Sequence, residues 1–235
     1  MFAEASFTKK NLNNYLSALG KEYKKRSGKK ISAEIILIGG AAILANYGFR
    51  DVTYDIDAVI FASSAMKEAI NYVGDSLNLP NNWLNADFRK TTSFSDKLHE
   101  IAVHYKTFAN ILEVRTVTAE YLIAMKLLSG RQYKHDISDI AGILWEQQKS
   151  GNPISKDAIN NAVIYLYGED AKLPDASVKV LNDAFTHGNY EQAFNEIMKQ
   201  EKQAKDILLD FEKNNPDGLK GESIDSILEK ARQFR

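Results

Sequence analysis

Apolar residues at Leu12, Tyr15, Leu16, Leu19 and Tyr23 recur at intervals of three and four, the spacing that lines one face of a helix. The pattern predicts an amphipathic helix over residues 8–27 that stops near Gly28. The period then changes. "AEIILI" (33–38) is almost wholly apolar, as in a strand covered on both faces. Gly39 and Gly40 break it, and "AAILANYG" supplies two helical turns before Gly48. "VTYDIDAVIF" (52–61), rich in β-branched and aromatic residues, reads as a second strand. A helical pattern over 64–79 is stopped by Pro80, and 81–97 has no clean period and reads as a loop. "LHEIAVHYK" and "ANILEVRTV" predict two strands joined tightly around Thr107. Thr118 is placed to cap the helix "AEYLIAMKLLSG", with Glu120 in its first turn. Beyond it the spacing predicts helices over 136–149, 156–167, 175–186, 189–213 and 222–234, divided at Gly151, Gly168, Gly188 and "NNPDG" (214–218).

Strands thus fill the first half and helices the second. This predicts an α/β (α+β) unit over 1–117, with a mixed sheet and flanking helices, followed by a helical unit over 118–235.

Composition narrows the chemistry more than the class. Thirty basic residues face 31 acidic ones, so no global field selects nucleic acid or membrane. The absence of cysteine excludes disulfides, zinc–thiolate sites and thiol nucleophiles from these 235 residues. No apolar run approaches 18 residues and the start lacks the layout of a signal peptide. The expectation is a cytoplasmic protein with no membrane partner. One local imbalance stands out: residues 1–33 carry eight Lys/Arg, among them Lys21, Lys24, Lys25 and Arg26, against Glu4 and Glu22. Such a run is a solvated helix face or a contact for a phosphate backbone.

Asp55 and Asp57 flank Ile56 in an otherwise apolar run, which puts both on one face of a strand. Charges about 6–7 Å apart repel by about 2 kcal/mol at an effective dielectric near 20. A strand, a glycine turn and a short helix leave backbone N–H groups facing outward for phosphate oxygens, and glycine permits close approach. Mg²⁺ at the aspartates would cancel the repulsion and bridge to a triphosphate. The plainer alternative is a simple turn with solvated carboxylates. Glu113, an acid within an apolar strand, is the best third carboxylate, its alternative being an ion pair with Arg115. Lys126, among Leu122, Ile123, Met125, Leu127 and Leu128, should half bury its stem and extend its ammonium to phosphate or to Asp139. Arg131 and Lys134 follow in the turn. Asp136 and Asp139, three apart, share one helix face, and one of them is placed to cap it. The histidines suggest no competing site. His99 and His104, read on one strand, point to opposite faces, while His135 and His187 stand at helix ends.

"IGGAAILANYGFRDVTYDIDAVIF" with "LIAMKLLSGRQYKHDISDI" resembles the nucleotidyltransferase superfamily, nearest its AbiEii-like abortive-infection and toxin branch, over about residues 31–145. The resemblance implies a sheet of the polymerase-β type and transfer of a nucleoside monophosphate from an NTP to an acceptor hydroxyl, dependent on Mg²⁺ or Mn²⁺. Asp55, Asp57 and Glu113 would be the catalytic, metal-holding acids. Gly39, Gly40, Arg50, Lys126, Asp136 and Asp139 would form the nucleotide site. RNA, a protein or a small molecule would accept the nucleotide. The alternative it implies is an inactive binding module paired with an antitoxin-like partner in a toxin–antitoxin or defence pair. Two features depart from the common pattern: Gly40 and Ala41 offer no hydroxyl where many members have serine, and Glu113 replaces aspartate.

Overall fold

The apolar stripe of the first helix anchors the sheet. A computed structural model describes residues 6–28, 31–130 and 135–214. In α1 (Lys9–Arg26), Leu12, Leu16, Leu19 and Tyr23 are fully buried. The helix starts at a reciprocal cap: the Asn11 amide donates to the Thr8 hydroxyl at 3.3 Å and the Thr8 amide to Asn11 Oδ1 at 2.6 Å. The next elements are β1 (Ala33–Leu37), α2 (Gly39–Asn46), β2 (Ile56–Phe61) and α3 (Ala65–Ser76). They are followed by β3 (Leu84–Asn85), a 3₁₀ turn (Asp87–Lys90), α4 (Leu98–Ile101), β4 (Ala102–Phe108) and β5 (Leu112–Val117). The sheet order is β3-β2-β1-β5-β4, with β1 antiparallel to β2 and parallel to β5. That central place explains the unbroken apolar run of β1, whose Ile35, Ile36 and Leu37 are fully buried.

The helical part comprises α5 (Ala119–Ser129), α6 (Asp136–Lys149), α7 (Lys156–Tyr167), α8 (Asp175–His187) and α9 (Tyr190–Asn214). α5 packs on α6 and α7, and α9 runs along α6. One continuous buried cluster joins Leu16 of α1, Ile36 of β1, Ile123 of α5 and Leu181 of α8. Among the described residues no helix is long and apolar enough to cross a membrane.

Several local expectations are corrected. The second strand starts at Ile56 rather than residue 52, because Thr53 pairs its backbone with Phe7 instead of β1, at 2.7 and 2.9 Å. Asp55 therefore precedes the strand. The hairpin turns at Ala109 and Asn110, both left-handed (φ 52° and 56°), and not around Thr107, which is paired with Glu113. His99 lies in α4, so the strand-face comparison with His104 does not apply. The stretch 81–97 contains β3 and the 3₁₀ turn. Part of the basic run is engaged: Lys24 donates to the Ala109 carbonyl at 3.0 Å, Lys25 and Arg26 pair with Glu22, and Arg26 also meets Glu68. Lys29, Lys30, Arg131, Lys134, residues 215–218 of the expected break and the expected helix over 222–234 lie outside the described residues.

Candidate functional site

The β1–α2 turn, the start of β2 and helix α5 meet at a cleft of about 410 Å³, within the range of about 300–1,000 Å³ usual for small-molecule sites. Gly39 begins the wall. Its φ of +55° is one that a side chain would strain, and a Cβ there would stand 3.7 Å from Asp57 Oδ2. The Ile38 amide donates to the Asp57 carbonyl at 3.1 Å, which ties the aspartate's backbone to the turn. Asp55 lines the same wall; the buried Thr53 hydroxyl donates to its carbonyl at 3.2 Å and to its Oδ1 at 3.3 Å. Lys126 and Ser129 of α5, and Asp136 of α6, close the other side. The sheet and α5 thus bring together Gly39, Asp55, Asp57, Lys126 and Asp136 from the residues singled out in the sequence.

Gly40 lies behind this wall. A Cβ at 40 would run into Thr53 Oγ1 and stand 3.3 Å from the Arg50 guanidinium. The missing serine hydroxyl thus has a steric reason: Thr53 occupies the space. Gly40→Ala is expected to cost about 1–3 kcal/mol in urea melts. Thr53→Ala should recover part of that loss in the double variant, and strict additivity of the two changes would refute the contact.

Lys126 is buried, not extended into solvent. Its Nζ contacts Asp136 Oδ1 at 2.7 Å and Asp139 Oδ2 at 2.8 Å. Burial pulls the ammonium's pKa down, but Asp139 and then Asp136 outweigh it and hold the group above its ordinary value. The Ser129 hydroxyl donates to Asp136 Oδ2 at 2.7 Å. Arg50 NH1 donates to both oxygens of Asp139, at 2.8 and 3.0 Å. Two of the three ammonium hydrogens are therefore directed to carboxylates. The N-cap residue of α6 is His135, whose side chain makes no cap hydrogen bond. Instead Glu201 of α9 accepts from the Ser138 amide at 3.1 Å and from the Ser138 hydroxyl at 2.6 Å, and meets His135 Nδ1 at 2.8 Å. Thr118 stands at the N-cap of α5 as expected, but its hydroxyl donates to Glu120 Oε1 at 2.8 Å rather than to the helix backbone.

Arg50 and Asp139 line a separate cavity beside Phe194 and His135, and Arg50 also donates to the Val52 carbonyl at 3.0 Å. Glu113 is not brought to the site. It pairs in register with Glu34 of β1, four residues before Ile38, whose amide bonds Asp57. That offset is about 13 Å along the strand, with about 10 Å more across two strands. One cation cannot touch Glu113 and Asp57. Glu113 is half-exposed with His104 Nδ1 at 3.5 Å, while Arg115 pairs with Glu34 at 3.1 Å, so the Glu113–Arg115 alternative also fails.

The sequence reading missed the wall formed by Asn85, Asp87, Phe88, Thr91, Thr92 and Ser93. Its signal was only an aperiodic polar stretch holding aromatics, a place where binding residues concentrate. A family model described as a nucleotidyltransferase of unknown function (DUF6036) matches residues 14–176. The chain belongs to this family. The matched span contains the whole cleft; the description does not reach the AbiEii-like branch. No curated protein and no solved structure matches the chain at a significant level.

The donor set bears on the metal that such a family implies. Among the described residues the cleft lining carries the carboxylates of Asp55, Asp57, Asp87 and Asp136 and the ammonium of Lys126. Among the described residues no group of three or more His, Asp or Glu side chains could hold a metal ion. Mg²⁺ is commonly held by one or two carboxylates plus substrate phosphates rather than an all-protein cage. Asp55 and Asp57 fit that role.

Proposed function

We propose that this chain is a metal-dependent nucleotidyltransferase that binds an NTP in the cleft and moves its nucleoside monophosphate to an acceptor hydroxyl. The supporting observation is the convergence of Gly39, Asp55 and Asp57 with Lys126 and Asp136 on one cavity. Asp55 and Asp57 would hold Mg²⁺ or Mn²⁺, which supplies charge neutralisation at the phosphates and polarises the reacting oxygens. The turn at Gly39 leaves room for phosphate oxygens against the backbone. Lys126 contributes fixed positive charge, held in place by its carboxylates. The acceptor oxygen bonds to the α-phosphorus and loses its proton, and pyrophosphate departs.

Each α-labelled NTP, incubated with Mg²⁺ or Mn²⁺ and a cell lysate, tests this directly. Label on RNA, on protein or on a small molecule defines the acceptor class. A second reading, a nucleotide-binding module without turnover that acts beside an antitoxin-like partner, is favoured by the double engagement of Lys126 and the distance of Glu113. It predicts NTP binding without label transfer. Absence of both binding and transfer overturns both readings.

A further inference from the structure

We propose that the turn over Asp87–Lys90 is a nucleobase platform, with the Phe88 ring stacking on the base of the nucleotide; the proposal rests on the nucleotide-binding reading above. β3 pairs with β2 so that Asn85 stands beside Asp57. Phe88 follows three residues later, so its backbone lies within about 10 Å of that point, a span that ribose and phosphate can bridge. Phe88 lines the same cleft as Asp57 and is only partly buried.

The α5 wall is graded. Along α5 the cleft-lining positions run from apolar Leu122 and Met125 to polar Lys126 and Ser129, a rise of about 10 Å. One end suits the flat face of a base, the other a chain of phosphates.

The ring is also held in advance. The Asp87 amide donates to Asn85 Oδ1 at 3.1 Å, and Lys90 pairs with Asp87 at 2.7 Å. The Thr91 hydroxyl and amide both donate to the Phe88 carbonyl, at 2.8 and 2.9 Å. Phe94 packs against Phe88 edge-to-face at 6.1 Å, with the Arg89 guanidinium 5.8 Å from the Phe94 ring. Tyr167 of α7 donates to the Ser93 carbonyl at 2.8 Å and fastens the turn to the helical part. An aromatic fixed before the ligand arrives gives up little freedom on stacking. Stacking accepts every base, so this platform contributes affinity for nucleosides as a class rather than choice among them.

Calorimetry decides the matter with two probes in the presence of Mg²⁺: an NTP carrying an α,β-methylene linkage, and inorganic tripolyphosphate. Phe88→Ala is expected to weaken the nucleotide by about five- to a hundredfold and to leave tripolyphosphate unchanged. Phe88→Trp should restore nucleotide affinity. Equal nucleotide affinity in wild type and Phe88→Ala, or no recovery with tryptophan, overturns the platform and leaves the nucleotide site standing. A parallel loss of tripolyphosphate in Phe88→Ala overturns it too, because the turn then acts on the phosphates. A wild-type protein that binds neither probe removes the underlying reading and the platform with it.

Discussion

Asp57→Asn is expected to remove the thermal stabilisation that Mg²⁺ and an NTP confer on the wild-type chain. A ligand at one hundred times its dissociation constant stabilises the folded state by about 2.7 kcal/mol. For a chain of this size that is a rise of about 5–10 °C in melting temperature. Asp57 lines the cleft beside the Gly39 turn, and an amide in its place keeps the shape but loses the charge that draws a cation. Melting curves of both proteins, with and without ligand, check this. A shift in Asp57→Asn equal to that of wild type would remove this carboxylate from the site.

Lys126→Met should cost about 3–5 kcal/mol, because it leaves Asp136 and Asp139 buried without their ammonium. The melting temperature would fall by about 10 °C. This differs from the mild effect that a half-exposed lysine predicts from sequence. Arg50 still serves Asp139. The pH dependence has a definite sign. In wild type the Lys126 value is raised, so its contribution is complete below its ordinary value of 10.5 and is lost as pH rises through the higher folded value. The difference in stability between the two proteins should therefore shrink as pH rises above 10.5 in urea melts. A difference that stays constant there would mean that the ammonium carries none of the loss.

The parts of the site that were legible in the sequence are those made by neighbours in the chain. The apolar run of β1, its stop at Gly39 and the return of Asp55 and Asp57 lie within 25 residues, and local periodicity and glycine chemistry suffice to read them. The helices over 136–214 were equally readable from their 3.6-residue stripes and glycine stops. Boundaries were less so: the start of β2 depends on Phe7, distant in sequence, which takes the backbone of Thr53.

By itself, then, the sequence determined the order of the longer strands and helices, the glycine turn and the acidic pair that follows it, because each depends on torsional preference and on which positions alternate toward a core. Tertiary structure alone decided which charges meet. An acid in an apolar strand looks the same whether its strand end faces the cleft or points away, and Glu113 points away because β5 is registered on Glu34. A lysine among leucines looks the same whether it snorkels or is enclosed, and Lys126 is enclosed because α6 lays Asp136 and Asp139 against it while Glu201 of α9 holds the first turn of α6. Register and helix docking are set by contacts between residues tens of positions apart, and no local period encodes them.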